Sequence, residues 1–538
     1  MVAMRRLALV ALSLSLVLAA CGDGVDEGAN QGRGTRGTID GVPLGTPASV
    51  DFGTAPPADT TPDTTPGTSP GTSPDTTADT TGGDQAFGWT TLSPGVQEGH
   101  LEVPLDYSKP NGRTITLYLE RHLAQDPATR IGSLLVNPGG PGYGGSSLAE
   151  GADTIYGQDL LDRFDIIGWD PRGTGNSEPA VDCIDDYDPY FGLDSSPDTP
   201  AERQALIDAG TKFGQACETR SGEILPFLST ENSARDMNAI RAALGEKEIS
   251  YFGFSYGSEL GATWATMFPS TVRAAVLDGA VDPTVGYLQE SIQQAAGFET
   301  TFDTFLTQCS ADTSCAFHNG GDAGAAFDKL AAAIDAAPVT VEAGRTPVTQ
   351  GVLDTAVAEA MYEQSSWPQL DQALTDLQHG DGKGVLDLYD QYFGYFNGTW
   401  DNANEAYFAI NCLDDRGSTG PADLYTHEQQ FAAAAPRLGR SWMAELTFCS
   451  VWPVPSEAPF TITGKGAGPI VVVGTTGDPA TPLSGTRKMA TALEDGHLVV
   501  VKADQHTGYG VNKCVDSTVD NYLVDPSATL PAETDCTA

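Results

Sequence analysis

One short stretch, Ile249 to Ala265, does most to limit what this chain can fold into. It reads ISYFGFSYGSELGATWA. Residues that favour strands run up to Phe254, and the residues after Gly257 predict a helix. A Gly-x-Ser-x-Gly pattern between a strand and a helix is typical of a nucleophile elbow, a sharp turn that exposes a serine. Ser255 is therefore either a simple turn residue or a catalytic nucleophile, and the second role requires partners elsewhere in the chain.

Strand and helix patterns alternate on both sides of this elbow. A helical pattern occupies Asn232–Leu244. Apolar runs predict strands in His100–Ala124 (two strands joined by a turn), Ser133–Val136, Asp165–Asp170, Ile249–Phe254, Ala274–Leu277, Pro469–Gly474 and His497–Ala503. Such alternation predicts an α/β fold with a mainly parallel sheet.

From about Pro283 to Gly464 the strand patterns give way to long helical ones, such as AGAAFDKLAAAIDAA. The economical interpretation is one α/β core formed by residues 87–283 and 465–538, with a largely helical cap inserted at 284–464. Two or three consecutive domains are the alternative, which is less favoured because the last two strands are too few for a domain of their own.

The N-terminus predicts an export signal and a tether. Residues 1–20 combine a pair of arginines with an apolar stretch too short to span a bilayer, and the sequence LAAC ending at Cys21 resembles the lipobox of bacterial lipoproteins. Lipid on Cys21 would anchor the exported protein; an ordinary secretory signal is the alternative. Residues 21–86 are rich in Thr, Pro, Asp, Ser and Gly, which predicts a disordered tether.

The net charge and the cysteine content limit the classes of function that this chain can have. The formal net charge of −44 argues against nucleic-acid binding and against electrostatic attraction to anionic membranes. Of nine cysteines, eight remain beside Cys21, which indicates disulfides in an exported protein, although eight cysteines allow 105 pairings. No Cys-x-x-Cys or cluster of His and Cys occurs, so we expect no metal site. Pairing in sequence order would give Cys183–Cys217, Cys309–Cys315, Cys412–Cys449 and Cys514–Cys536.

A serine hydroxyl needs a base, usually a histidine, to act as a nucleophile near neutral pH. In α/β-hydrolases the acid and then the histidine follow the serine along the chain. Three histidines qualify: His427 in a polar helical stretch, His497 at the start of a predicted strand, and His506 in the loop ADQHTGYG. Open α/β sheets place their sites in loops at the carboxyl ends of strands. We therefore predict that His506 is the base.

The acid that orients this base is predicted to be Asp478. It lies in VVVGTTGDPATP, directly after a predicted buried strand, and precedes His506 by 28 residues. An aspartate at this position would also suit the N-cap of a following helix. Asp278, in VLDGAVDP at the end of the preceding predicted strand, is the alternative acid.

Acyl transfer also needs donors for the oxyanion. The first expected donor is the backbone N–H of Tyr256, the residue after the nucleophile. The second is expected from the loop NPGGPG at residues 137–142, where glycines let the backbone approach a carbonyl oxygen closely. We predict the N–H of Gly140 for this role; a plain Gly/Pro turn is the alternative interpretation.

Taken together, the motifs NPGGPG, DPRGTGNSEP, GFSYGS, LDGAVDP, GDPATP and DQHTGYG resemble the α/β-hydrolases related to proline iminopeptidase, and more closely the exported tripeptidyl aminopeptidases of actinobacteria. The resemblance covers about residues 89–538. It implies an α/β-hydrolase fold with a helical cap, and a serine peptidase that releases short peptides from free N-termini. Asn137-Pro138 precedes the glycines where proline iminopeptidases have His-Gly-Gly-Pro-Gly, which favours the tripeptidyl branch. The family's triad and oxyanion positions fall on Ser255, Asp478, His506, Gly140 and Tyr256.

An exopeptidase must recognise a charged amine, for which a buried carboxylate is the natural partner. In the related iminopeptidases, acidic residues of the cap have this role. The candidates here are Asp414, Asp415, Glu405 and Glu259, and the alternative role for each is a solvated carboxylate or a helix cap. Arg172, in DPRGTG, is expected to tie loops together through carboxylates and not to act in catalysis.

These features predict a serine aminopeptidase, lipid-anchored on the outer face of the bacterial cell membrane, that requires no cofactor. Its substrates would be peptides or unfolded protein N-termini. An esterase or lipase with the same triad, an endopeptidase with a relaxed cap, and a non-catalytic binding lipoprotein are the alternatives, since fold does not fix function. A competent residue at every triad and oxyanion position argues against the last. The sequence indicates neither the preferred residues nor the oligomeric state.

Overall fold

A computed structural model of the chain describes residues 85–415 and 417–537. The predicted signal peptide, Cys21 and nearly all of the predicted tether lie outside the described residues. Within the described residues, no helix is both long enough and apolar enough to cross a membrane. The described chain has an α/β-hydrolase fold, as predicted from the sequence.

Twelve strands form in the described residues, ten of them in one mixed sheet. The strands are β1 (Thr90–Ser93), β2 (Val96–Pro104), β3 (Thr114–His122), β4 (Gly132–Asn137), β5 (Phe164–Asp170), β6 (Ile249–Phe254), β7 (Val272–Asp278), β8 (Tyr395–Phe396), β9 (Thr399–Trp400), β10 (Ile470–Thr475), β11 (Gly496–Val501) and β12 (Glu533–Cys536). The sheet order is β1-β2-β3-β5-β4-β6-β7-β10-β11-β12. Pairing is antiparallel from β1 to β5 and parallel from β5 to β12.

Helices cover both faces of this sheet and form the cap. They are α1 (Ser146–Glu150), α2 (Ala152–Ile155), α3 (Gln158–Arg163), α4 (Asp188–Phe191), α5 (Pro200–Ser221), α6 (Thr230–Ala243), α7 (Tyr256–Met267), α8 (Tyr287–Ala311), α9 (Ala323–Ala336), α10 (Gln350–Met361), α11 (Trp367–Gln378), α12 (Lys383–Tyr392), α13 (Ala403–Asp414), α14 (Pro421–Leu424), α15 (Glu428–Ala434), α16 (Gly439–Ser450), α17 (Leu483–Ala492) and α18 (Lys513–Val524). The helix and the strands predicted from the sequence all occur, whereas the short edge strands β1 and β12 were not predicted.

Alternating side chains of the parallel strands pack on opposite faces of the sheet. In β10, Val471 and Val473 belong to a core that includes Val519 of α18. Val472 belongs to the core on the other face, with Leu260 of α7 and the cap helices. Burial on both faces explains why these strands read as continuous apolar runs rather than as alternating ones.

The cap lies between two neighbouring strands. Helices α8 to α16 and the hairpin β8–β9 separate β7 from β10 in the chain. The flanking strands nevertheless pair directly, with Val276 beside Val471. This arrangement is that of an insertion into the sheet, although the domain boundaries derived from the sequence stay a prediction.

The segment between β5 and α6 packs on the cap as well. Phe191 stacks on Phe408 of α13 with ring centroids 5.5 Å apart, and Phe213 of α5 meets Phe448 of α16 at 5.7 Å. A Cβ on Gly210 would lie only 3.2 Å from the Cα of Phe448, so α5 and α16 approach closely. Part of the predicted first core segment, 87–283, thus shares an aromatic core with the cap.

A buried ion pair and four disulfides connect different parts of the chain. Arg172 is fully buried and donates two hydrogen bonds of 2.7 Å to the carboxylate of Asp236 on α6. It also donates to the backbone oxygens of Leu105 and Phe227, which confirms its expected structural role. Four disulfides have the pairing expected from sequence order: Cys183–Cys217, Cys309–Cys315, Cys412–Cys449 and Cys514–Cys536.

Candidate active site

Ser255 occupies a strained turn between β6 and α7. Its φ of 55° lies in the left-handed region, which residues other than glycine rarely adopt, and its N–H donates to the backbone oxygen of Asp278 at 2.8 Å. A Cβ on Gly253 would lie 2.3 Å from the oxygen of Gly257, and a Cβ on Gly257 would lie 2.9 Å from the oxygen of Asn137. The turn therefore depends on both glycines of the Gly-x-Ser-x-Gly pattern.

His506 and Asp478 meet in the loops that follow β11 and β10. His506 Nδ1 lies 2.9 Å and 3.0 Å from the two carboxylate oxygens of Asp478. The same carboxylate accepts hydrogen bonds from the backbone N–H groups of Ala480, Thr481 and Thr507, which fix its position. With Nδ1 held by Asp478, His506 Nε2 is the ring nitrogen left for proton transfer. Nε2 is buried and has no hydrogen-bond partner among the described residues.

Asp278, the alternative acid, has a different place. Its carboxylate accepts hydrogen bonds from the N–H groups of Gly508 and Tyr509 at 2.8 Å and 2.7 Å. Among the described residues, no hydrogen bond links the Asp278 carboxylate to the imidazole ring of His506. Burial raises the pKa of Asp278 to about 6. Asp278 therefore anchors the loop that carries His506, whereas Asp478 contacts the imidazole.

The predicted oxyanion loop lies against the elbow. Gly139 and Gly140 have φ values of 97° and 110°, and the N–H of Gly139 donates to Asn137 Oδ1 at 3.0 Å. A Cβ on Gly139 would lie 2.8 Å from the Cβ of Ser255 and 3.0 Å from the N of Tyr256. The N–H groups of Gly140 and Tyr256 thus belong to two backbone segments that adjoin beside the serine.

A cavity opens over these residues, and we call it the catalytic cavity. Ser255 and His506 line it, and it encloses about 1210 Å³ of empty space with its open mouth included. The cap contributes the opposite wall, which includes two carboxylates, Glu359 and Glu363, at the C-terminal end of α10. Neither residue was predicted from the sequence, because the stretch EAMYEQ offers no signal beyond two acidic residues four positions apart in a helical region.

The two cap carboxylates are held close to the histidine loop. The backbone oxygen of Tyr362, between them in sequence, accepts a hydrogen bond of 2.9 Å from the N–H of His506. Burial, and then the charge of Glu363, raise the pKa of Glu359 to about 8. Glu363 accepts a hydrogen bond from the hydroxyl of Ser365 at 3.0 Å. Two carboxyl groups of the cap therefore face the same space as the serine and the histidine.

The four carboxylates that the sequence suggested for amine binding do not line the catalytic cavity, which corrects that expectation. Glu259 lies instead in a separate acidic cavity, together with Asp414 and Asp415. The physical reason is that three of these carboxylates already bind backbone N–H groups of distant loops. Asp414, Asp415 and Glu405 accept hydrogen bonds from the N–H groups of Thr230, Tyr287 and Ile184 respectively.

Known proteins match the chain over most of its length. Residues 132–319 match the family described as alpha/beta hydrolase fold, and residues 435–536 match the family described as TAP-like protein. The serine protease Hip1 of Mycobacterium tuberculosis is 34% identical over 458 residues, which cover 81% of this chain and 86% of that protein. The tripeptidyl aminopeptidase of Streptomyces lividans is 32% identical over 467 residues, covering 82% of this chain and 83% of that protein. The chain belongs to the TAP-like family of α/β-hydrolases.

As a member of this family, the protein is a serine hydrolase. Another relative, carboxylesterase B of Mycobacterium tuberculosis, is 34% identical over 448 residues, which cover 80% of this chain and 84% of that protein. Among solved structures, the proline iminopeptidase of Mycobacterium smegmatis covers 80% of this chain and all of its own, at 14% identity and a TM-score of 0.38. At that distance it adds nothing to the assignment.

Substitution of the two buried aspartates should separate their roles. We expect Asp478→Asn to lower kcat by about 10³- to 10⁴-fold, because of the two aspartates only Asp478 contacts the His506 ring. Some loss of stability should accompany it, because the Asp478 carboxylate also accepts three backbone N–H groups. Asp278→Asn should lower the free energy of unfolding by about 1–3 kcal/mol and affect kcat far less, because an amide cannot accept both loop hydrogen bonds in the same way. Hydrolysis of a chromogenic ester and urea denaturation measure the two effects. Equal losses of kcat at unchanged stability would contradict these roles.

The pH profile should report the histidine. Burial is the largest influence on the pKa of His506 and lowers it, but the charge and hydrogen bond of Asp478, with the charges of Asp278 and Glu363, raise it above its usual 6.5. His506 must be neutral to accept a proton, so kcat/KM for an uncharged ester should rise with pH through a midpoint above 6.5. Because an uncharged ester has no titrating group, the pH profile reports groups of the enzyme alone. A midpoint below 6.5 would contradict this prediction.

Proposed function

We propose that the protein is an aminopeptidase that releases short peptides from free N-termini through an acyl-enzyme. Ser255 Oγ attacks the scissile carbonyl carbon while His506 Nε2 accepts the hydroxyl proton and Asp478 holds the imidazole in place. The N–H groups of Gly140 and Tyr256 donate to the oxyanion. His506 then protonates the leaving amine, and a water molecule, deprotonated by His506, hydrolyses the ester bond to the serine.

The geometry of the site supports this order of steps. The elbow presents Ser255 in the cavity that His506 also lines, and the unpaired Nε2 is the only ring nitrogen of His506 without a partner among the described residues. The backbone bonds that fix Asp478 keep its carboxylate from turning away from the ring. A base oriented in this way can take and return a proton without reorganisation of the site.

The observation that carries the aminopeptidase proposal is the pair of cap carboxylates in the catalytic cavity. A substrate ammonium placed between Glu359 and Glu363 would gain charge-assisted hydrogen bonds in a partly dehydrated place. A bound cation favours the ionised form of a carboxyl group, so substrate would lower the pKa of Glu359 from about 8. An esterase or an endopeptidase has no need for two carboxylates beside its nucleophile.

The distance along α10 supports the release of short peptides. The backbone oxygen of Tyr362 is bonded to the N–H of His506, and Glu359 precedes Tyr362 by three residues. Three helical residues rise about 4.5 Å. An extended peptide advances about 3.3–3.6 Å per residue, and this short rise from Glu359 to the contact with the histidine loop is consistent with the release of short peptides.

The names of the relatives support a peptidase more than an esterase. Hip1 is named a serine protease, and the Streptomyces proteins are named tripeptidyl aminopeptidases. The name carboxylesterase B, on a relative of similar identity, keeps an esterase as the second candidate. The two candidates differ in whether a free amine on the substrate matters.

A tripeptide anilide and its N-acetylated twin should be cleaved at very different rates. We expect kcat/KM for the free tripeptide to exceed that of the acetylated one by about 10²-fold, since a buried charge pair is lost on acetylation. Glu359→Gln should lower kcat/KM for the free peptide by a similar factor, about 10²-fold, and leave the slow cleavage of the acetylated peptide unchanged. Release of the chromophore under steady-state conditions gives both numbers.

Glu405→Gln is the matched control, because Glu405 is a cap glutamate that does not line the catalytic cavity and an amide can still accept from Ile184. It should keep the wild-type ratio of free to acetylated cleavage. Equal cleavage of both peptides by the wild-type protein would refute the aminopeptidase proposal and favour an endopeptidase. Hydrolysis of a simple ester without cleavage of either peptide would favour the esterase.

A further inference from the structure

A second cavity adjoins the catalytic cavity, between the cap and the segment that joins β5 to α6. It encloses about 740 Å³ of empty space with its open parts included. Three residues line both cavities: Tyr392, Asn404 and Tyr407. Most of the remaining large side chains in its wall are aromatic, so we call it the aromatic cavity: Tyr190, Phe191, Phe393, Phe408, Trp442 and Phe448.

Helix α10 runs along both cavities. Asp354, Thr355 and Ala358 line the aromatic cavity, and Glu359, the residue after Ala358, lines the catalytic cavity. An amine bound by Glu359 would therefore lie at the border between the two. The N-terminal side chain of a peptide is attached to the carbon that bears the amine, so it would have the aromatic cavity beside it.

Asn404 lies at the same border and lacks a hydrogen-bond partner. Its side chain is 8% exposed, and Nδ2 is buried without a partner among the described residues. An unpaired buried amide group is costly, so a ligand carbonyl at this point would satisfy it. The first peptide carbonyl of a substrate whose amine is bound at Glu359 lies within a few bonds of that amine.

The two acidic side chains in the wall of the aromatic cavity are already paired. Asp354 accepts hydrogen bonds from Gln350 and Ser441, and Glu445 accepts one of 2.5 Å from the hydroxyl of Tyr407. Burial raises the pKa of Asp354 to about 8 and also raises the pKa of Glu445. The cavity thus offers aromatic surface and acidic groups that are already hydrogen-bonded, which suits an uncharged occupant.

We propose that the aromatic cavity is the subsite for the side chain of the substrate's N-terminal residue, with Asn404 donating to the first peptide carbonyl. The enzyme favours peptides that begin with a large apolar or aromatic residue. This inference rests on the proposed aminopeptidase function, because it uses the free amine to place the first residue.

Three tripeptide anilides that differ only in the first residue test the subsite: Phe-Ala-Ala, Ala-Ala-Ala and Lys-Ala-Ala. We expect kcat/KM for the Phe peptide to exceed the other two by about tenfold or more, as for other apolar pockets. Ala444→Phe fills the aromatic cavity and should remove most of this preference. Ala332→Phe, the same change at an exposed position of α9, is the matched control and should keep the wild-type preference.

The possible outcomes distinguish failure of the subsite proposal from failure of the aminopeptidase proposal. Equal kcat/KM for the Phe and Ala peptides would overturn the subsite and leave the aminopeptidase standing. A preference for Lys would overturn its apolar character, and an unchanged Phe preference in folded Ala444→Phe, checked by circular dichroism, would overturn its location. If that variant does not fold, Thr355→Phe fills the same cavity from α10. Cleavage of none of the free peptides while an ester is still hydrolysed would overturn the aminopeptidase and the subsite together.

Discussion

Asp278, at the carboxyl end of β7, joins the two halves of the site. Its backbone oxygen accepts the N–H of Ser255, and its carboxylate accepts the N–H groups of Gly508 and Tyr509 in the histidine loop. A left-handed serine costs on the order of 1–3 kcal/mol, and a buried carboxylate is also unfavourable unless it is well paired. The strained serine and the buried carboxylate are tolerated because neighbouring parallel strands end at the same edge of the sheet and hold the serine turn and the histidine loop side by side.

The cap is joined to this edge through hydrogen bonds and close packing. The backbone oxygen of Tyr362 accepts the N–H of His506, and the side-chain Oδ1 of Asn402, just before α13, accepts the N–H of Gly175. Gly142 of the oxyanion loop lies so close to α13 that a Cβ there would stand 2.1 Å from the oxygen of Ala403. Helices α10 and α13 therefore hold side chains that line the catalytic cavity at a fixed position relative to Ser255 and His506. Selectivity can change on these helices while the catalytic loops stay the same.

The sequence could point to Ser255, Asp478 and His506 because each lies in a loop that follows a buried strand, a relation visible within a few consecutive residues. Glu359 could not be found in this way, because its position in the catalytic cavity depends on how α10 lies over the sheet. Asp414 is acidic and close to a cysteine, but its partner Thr230 lies 184 residues earlier, so only the folded chain shows that its carboxylate is occupied. The edge strand β12 has one buried residue, Cys536, and no apolar run to mark it.

Covalent labelling tests whether Ser255 is the nucleophile. A fluorophosphonate without a peptide portion reacts with an activated serine whatever the cap recognises. After digestion, mass spectrometry should find one adduct, on Ser255, and Ser255→Ala should stay folded while losing both the adduct and the turnover of every substrate. An adduct on a different serine, or turnover retained by a clean preparation of Ser255→Ala, would contradict the account.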